Sequence, residues 1–206
     1  MRTIAGLAAV LLLVACATET AAPTPEPTAA ITAVPTQGEI SATEPTDSQT
    51  TEVPMSFELS SEAFGQGATI PVTYSCDGEN ISPPLAWTDP PDGTQGFAMI
   101  FDDPDAPAGT WVHWVLFNLP ADARSLPEAV APDPMLPDGT IHGSNSWNSI
   151  GYGGPCPPGG EHRYFFKFYA LDRVLDLEAG ANKEQVLEAM EDHILAQTEL
   201  MGTYSR

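Results

Sequence analysis

Short apolar runs alternate with proline and glycine from about residue 56 to the C-terminus. Runs of this length that are rich in aromatic and branched side chains are typical of β-strands. Five such runs are predicted as strands, at residues 57–59, 72–74, 96–101, 111–119 and 163–171. Prolines crowd the connections between them. The pattern therefore predicts a mainly β domain with antiparallel strands and long Pro-rich loops.

One segment near the C-terminus has the spacing of a helix instead. Asn182 can cap its start, and Gln185, three residues on, can return the bond in a capping box. Residues on one predicted apolar stripe follow: Val186, Leu187, Met190, Ile194 and Leu195. Gly202 is expected to end this C-terminal helix. We assign the helix a packing role, and His193 beside the stripe is interpreted as a surface or packing residue.

The N-terminus has the features of a targeting segment. Arg2 precedes an apolar run at residues 4–15, which is shorter than the roughly 20 residues that a membrane-spanning helix needs. The run ends in LVAC, and small residues before a lone Cys resemble the bacterial lipobox. We therefore predict a lipoprotein signal peptide at residues 1–15, with Cys16 as the lipidated residue. The alternative is an ordinary signal peptide with an incidental Cys16.

Composition changes sharply after Cys16. Thr, Ala, Pro and Glu dominate up to residue 55, without apolar periodicity. Such a segment buries too little apolar surface to offset the entropy of ordering. Residues 16–55 are predicted to be the lipidated Cys16 followed by a disordered tether, and residues 56–206 the folded domain. The predicted location is the cell envelope, outside the cytoplasm and anchored to the membrane by lipid only.

The net charge of the chain limits the classes of partner that it is expected to bind. The chain carries 28 acidic and 7 basic residues, giving a formal charge of −21. Nucleic acids and anionic membrane surfaces attract basic patches, so neither is an expected partner. An acidic protein that binds an anion needs a locally favourable site or a zwitterionic ligand.

Two predicted strands each carry one histidine near the start, if the second strand is taken as residues 161–170. Alternate residues of a strand share a face. The first predicted face holds Trp111, His113, Val115 and Phe117; the second holds His162, Tyr164, Phe166 and Phe168. Imidazole and phenol groups can donate to an oxyanion, and Asp103 and Asp105 could orient the imidazoles. Spacing alone leaves open that both histidines are structural.

Enzymatic and metal-binding interpretations have less support from the sequence. A His–Asp pair suits acid/base hydrolysis, but no Ser or Cys lies in a recognisable activating motif. Asp103, His113 and His162 could together hold a metal, although none of the usual ligand spacings is present. We therefore expect no enzyme activity, no cofactor and no metal.

Several motifs resemble one known family. The chain reads DPDAP at 103–107, WVHW at 111–114, YSCDGENISPPLAW at 74–87, NLPAD at 118–122 and GPCPPGGEHRYFFKFYALD at 154–172. These motifs, in this order, resemble the phosphatidylethanolamine-binding protein family, also called Raf-kinase-inhibitor-protein-like, and best its bacterial and archaeal branch. The resemblance covers essentially all of residues 56–206. It implies a β-sandwich with a small surface pocket for phosphate, phosphorylated headgroups or similar oxyanions.

The resemblance also implies site residues by position. The implied pocket residues are Asp103, Trp111, His113, Pro157, His162 and Tyr164. Asp105 and Pro107 belong to the same motif with a more structural role, and Arg163 is expected to point away. The ending GTYSR differs from that of mammalian relatives, so the residues that close the pocket stay unassigned.

Two cysteines remain after Cys16. An even pair in an exported domain indicates a disulfide, here Cys76 with Cys156, with two buried free thiols as the alternative.

The expected function is that of a non-enzymatic binding module. Its ligand would be a small anion or zwitterion, such as phosphate or a phosphoethanolamine-like headgroup. The alternative is an inhibitor of an envelope or extracellular protease or of another protein, and a hydrolase has less support. The sequence leaves the natural ligand, any protein target and the choice between monomer and homodimer open.

Overall fold

The computed structural model describes residues 56–206. The predicted signal peptide, Cys16 and the tether lie outside the described residues. Within these residues, eight strands and one α-helix occur in the order β1 Leu59–Ser60, β2 Leu85–Trp87, β3 Gly96–Asp103, β4 Trp111–Pro120, β5 Ser125–Leu126, β6 Ile141–His142, β7 Glu161–Leu171, α1 Lys183–Met190 and β8 Ile194–Ser205.

These strands form two antiparallel sheets. The smaller sheet has the order β1-β2-β5, and the larger has the order β6-β4-β3-β7-β8. Every strand pair in both sheets is antiparallel. The prediction of a mainly β, antiparallel sandwich with long Pro-rich loops is confirmed.

Aromatic side chains fill the space between the two sheets. Trp87 of the small sheet has its ring centroid 4.5 Å from that of Phe168 in the large sheet. Phe97 stacks on Phe168 at 5.2 Å, and Phe97 and Phe168 are both fully buried. Because aromatic residues bury large apolar areas, this cluster is a main source of the sandwich's stability.

Helix α1 covers the opposite face of the large sheet. Val186 and Met190 are its fully buried side chains, and they belong to one apolar cluster with Ile100 and Val115. The predicted capping box between Asn182 and Gln185 is present in both directions, at 2.9 and 3.0 Å.

The predicted extent of the C-terminal helix was wrong. The helix ends at Met190, with Glu191 as its C-cap and Asp192 at a positive φ of 64°. Ile194, Leu195 and Gly202 instead belong to β8, which pairs along the whole of β7. Pairing with β8 supplies hydrogen-bond partners for backbone groups along the edge of β7, so tertiary context overrides the local helical spacing.

Two predicted strands near the start of the domain were also wrong in detail. Val72–Tyr74 is a short 3-10 helix that follows Pro71, a residue whose fixed φ suits the start of such a turn. The run at 57–59 contributes only Leu59 to strand β1.

Candidate functional site

A β-bulge positions His113. Strand β4 pairs with β3 as Phe101 with Trp114 and then Asp102 with Val112, so His113 is an extra residue in the ladder. A bulge turns two successive side chains to one face. His113 therefore contacts the rings of Phe101 and Tyr164, and its ring centroid lies 5.3 Å from the centroid of each.

Because of the bulge, the face predicted for the strand at 111–119 was wrong in part. Val115 and Phe117 lie with the helix-side cluster, and do not share a face with His113. The face predicted for β7 is present, because β7 pairs with β8 without a register shift from Glu161 to Ala170.

The imidazole of His113 is buried and held at one nitrogen. Its Nδ1 lies 2.7 Å from the Gly153 carbonyl oxygen, so Nδ1 must carry a hydrogen and donate it. Burial lowers the pKa of His113, and this outweighs the opposing effects of the Gly153 bond and the Asp103 charge. In the neutral ring, Nε2 is then a hydrogen-bond acceptor.

Asp103 fixes the second histidine. His162 Nδ1 lies 2.7 Å from Asp103 Oδ2, with both side chains less than a tenth exposed. The other oxygen of Asp103 accepts from the backbone N–H of Asp105 at 2.8 Å. A carboxylate bonded to Nδ1 sets the orientation of the ring and leaves Nε2 for a ligand.

Asp105 attaches the loop after β3 to strand β7. It accepts from the Arg163 backbone N–H at 3.0 Å and from the guanidinium at 2.7 and 2.9 Å. These bonds lower the pKa of Asp105 to about 2, and the bond with the Arg163 side chain has the largest effect. Asp105 is absent from the cavity lining described below, and Arg163 points to the other side of β7 from His162.

A cavity of about 300 Å³ lies in front of Asp103 and His113. Four residues to which the family resemblance gave a role line it: Asp103, Pro107, Trp111 and His113. Ala106, Ala108, Trp147, Cys156 and Pro158 complete its wall. A cavity of this size is at the lower end for a small-molecule site and suits a small polar group.

Three predicted pocket residues lie outside that lining. Pro157 is buried, and its neighbour Pro158 lines the cavity. His162 lies behind Asp103, to which it is bonded. Tyr164 is fully buried behind His113, and its hydroxyl has no hydrogen-bond partner among residues 56–206. The pKa of Tyr164 is raised, mainly by burial and secondly by the negative charge of Asp103.

Trp147 is the largest of the wall residues that sequence reasoning missed. It comes from the loop after β6, and it meets Trp111 and His113 edge to face, at 5.4 and 5.1 Å between centroids. Its side chain is nonetheless 46% exposed. The sequence did contain a signal for Trp147. It is a large aromatic residue within the Gly-, Ser- and Asn-rich run GSNSWNSIGYGG, and such a residue in a loop indicates a binding surface.

The predicted disulfide is present. Cys76 and Cys156 are bonded, with their Cα atoms 5.4 Å apart. The bridge ties the loop after residue 74 to the wall of the cavity. Within residues 56–206, no group of three or more His, Cys, Asp or Glu side chains is arranged to hold a metal ion.

Comparison with known proteins identifies the family. The family model for phosphatidylethanolamine-binding protein matches residues 60–205. This chain belongs to the phosphatidylethanolamine-binding protein family. A UPF0098 protein of Methanothermobacter thermautotrophicus is 55% identical over 150 residues, covering 73% of this chain and 99% of that protein. A UPF0098 protein of Aquifex aeolicus is 46% identical, covering 73% and 89%.

Solved structures agree on the fold of this phosphatidylethanolamine-binding protein relative. A homologue from Chlamydia trachomatis aligns with a TM-score of 0.68 at 44% identity, covering 73% of this chain and 97% of the other. YbcL of E. coli, described as a new member of the mammalian family, aligns with a TM-score of 0.68 at 32% identity, covering 73% and 98%. All cavity-lining residues fall within the matched range.

Proposed function

We propose that this domain is a non-enzymatic module that binds a small anionic or zwitterionic group in the cavity before Asp103 and His113. The observation that carries the proposal is the arrangement of the two histidines. Each has its Nδ1 held by an acceptor, Gly153 in one case and Asp103 in the other. His113 therefore keeps Nε2 for a ligand in a cavity walled by apolar and aromatic side chains, and His162 holds the Asp103 carboxylate that lines the same cavity.

Protonation decides which anions can bind. Neutral His113 offers an Nε2 lone pair, which repels a fully ionised oxyanion and accepts from a protonated one. A phosphate group that keeps one acidic proton can donate to Nε2 directly. A sulfonate cannot, so its binding must bring a proton onto His113. A zwitterionic headgroup such as phosphoethanolamine fits the acidic surroundings, because its ammonium is compatible with the net charge of −21.

The hydrogen bonds favour binding over catalysis. Among residues 56–206, the bonds of His113 and His162 go to a backbone carbonyl and a carboxylate, and to no Ser, Thr or Cys side chain. Nucleophilic catalysis needs such a hydroxyl or thiol next to the base. The proposal therefore places His113 in recognition, with His162 positioning Asp103.

Loss of His113 should weaken phosphate binding. We expect His113→Ala to cost roughly 1.5–3 kcal/mol of binding free energy, the range for a hydrogen bond to a charged group. Calorimetric titration with inorganic phosphate measures the effect. His193→Ala is the matched control, because His193 bonds Asp172 and Arg173 in the turn before β8. Equal affinity in wild type and His113→Ala would remove His113 from the site.

We further propose that the domain works outside the cytoplasm, attached through acylated Cys16. The support is the lipobox-like LVAC and the Thr/Pro-rich stretch that follows. Within residues 56–206, no helix has the length and apolar character needed to cross a bilayer. Two or more acyl chains would give stable attachment, at about 0.8 kcal/mol per buried CH₂.

Substitution of Cys16 tests the anchor. Cys16→Ser should abolish incorporation of labelled palmitate and release the protein from the membrane fraction, because the acylated thiol is gone. A variant that still carries labelled lipid would contradict the lipobox interpretation.

A further inference from the structure

A second cavity of about 340 Å³ adjoins the first. The two cavities share two wall residues, Trp147 and Cys156. Either cavity alone is at the lower limit for a small-molecule site, whereas the two together fall well inside the usual range of about 300–1,000 Å³. A ligand larger than a bare anion has room to extend from the first cavity into the second.

The wall of the second cavity is tightly built at Gly153 and Gly154. A Cβ added to Gly153 would lie 2.5 Å from the Trp147 ring, and one added to Gly154 would lie 2.3 Å from the Tyr74 carbonyl oxygen. Side chains larger than hydrogen do not fit at either position. The Gly153 carbonyl also holds Nδ1 of His113. One short segment thus lines the second cavity and orients the histidine of the first.

The second cavity differs chemically from the first. Its wall has no acidic, basic or histidine side chain; amide and hydroxyl groups come from Asn80, Asn145, Ser149 and Tyr152. Asn80 Oδ1 accepts from the Gly154 N–H at 2.7 Å, and its amide NH₂ has no partner among the described residues. Ser149 is exposed at this wall. The Trp147 indole supplies an apolar surface that is half exposed.

We propose that the second cavity is a subsite for a neutral, hydroxyl-bearing ring, of the carbohydrate class, covalently joined to the anionic group in the first cavity. A charged group would find no counter-ion there, and an anion would also meet the net charge of −21. Hydroxyls can accept from the Asn80 NH₂ and donate to Ser149 Oγ, while the C–H face of the ring covers the Trp147 indole. This inference rests on the proposed function of the first cavity.

Paired titrations test the subsite. The probes are α-D-glucose 1-phosphate and inorganic phosphate, and the readout is the ratio of their affinities, because the phosphate group is common to both. We expect the sugar phosphate to bind about tenfold more tightly to the wild-type protein, equivalent to one or two added hydrogen bonds. A ratio near one in the wild type would overturn the subsite.

Two variants locate the effect. Asn80→Asp keeps the Oδ1 acceptor for Gly154 and tolerates the positive φ of 58° at this position, but it loses the NH₂ donors. Ser149→Tyr fills the cavity from its exposed rim. Both should bring the ratio towards one, and Ser149→Tyr should leave phosphate affinity unchanged.

The outcomes separate the two proposals. A wild-type ratio that both variants leave intact would place the sugar elsewhere and overturn the subsite alone. Phosphate binding that is absent, or unchanged by His113→Ala, would instead overturn the first cavity's function and the subsite with it.

Discussion

Reduction of the Cys76–Cys156 bridge is expected to lower the free energy of unfolding by about 4 kcal/mol. The two cysteines are 80 residues apart, and the chain-entropy model gives about 4.5 kcal/mol for a loop of that length. For a domain of this size, that loss corresponds to a melting temperature lower by roughly 8–16 °C.

Thermal and urea unfolding with and without a reductant measure this effect. The double variant Cys76→Ala with Cys156→Ala is the control, since it should match the reduced wild type and show no response to reductant. Thiol titration of the unreduced domain should detect neither cysteine. A loss below about 1 kcal/mol, or two titratable thiols, would contradict a stabilising bridge.

Asp102→Ala is expected to destabilise the domain by about 3 kcal/mol, near the lower end of the range for breaking a buried ion pair. Asp102 is fully buried and accepts from Lys167 at 2.9 and 3.1 Å and from Lys183 at 2.6 Å. The carboxylate thus joins β3, β7 and the start of α1. Its loss leaves two neighbouring ammonium groups without a counter-ion, although both can partly reach water.

Asp89→Ala is the matched control for this prediction. It removes a carboxylate from an ion pair with Arg124, in which both side chains are largely exposed. Exposed pairs contribute about 1 kcal/mol or less, so this variant should unfold close to the wild type in urea. Equal effects of the two substitutions would show that the buried carboxylate contributes no more than a surface one.

The long strands could be predicted because their residues carry a strong apolar pattern. The predicted runs at 96–101, 111–119 and 163–171 correspond to β3, β4 and β7, with ends differing by at most two residues. The capping box at Asn182 could be predicted equally well, because it depends only on two residues three positions apart in the sequence.

Strand β8 was missed because its first residues continue the helical spacing. Ile194 and Leu195 fit the apolar stripe of α1, yet both are exposed in the strand. The alternation of buried Leu200, Gly202 and Tyr204 was the contrary indication. Only the long-range pairing with β7 decides between the two patterns.

The site was predictable in its residues more than in its geometry. The resemblance selected Asp103, Trp111 and His113, all of which line the cavity. It could not supply the bulge at His113, because an extra residue in a ladder depends on the partner strand. It also could not place Trp147, which reaches the cavity through the conformation of a long loop.

The protonation state of His113 provides the most direct test of the proposed binding site. Burial lowers the pKa of His113, so the ring is neutral at pH 7, and a bound anion should raise that pKa by favouring the imidazolium. Binding of a fully ionised anion must therefore take up a proton. Its affinity should increase by up to about tenfold for each pH unit lost, over the range between the pKa of the free ring and the higher pKa of the ring in the complex.

The most direct measurement is calorimetric titration of the domain with methanesulfonate at pH 7, in two buffers of different ionisation enthalpy. We expect net proton uptake, at most one proton per bound anion, in the wild type, and almost none from the weaker binding that remains in His113→Ala. Binding without proton uptake, or the same uptake in both proteins, would contradict a site in which His113 receives the anion.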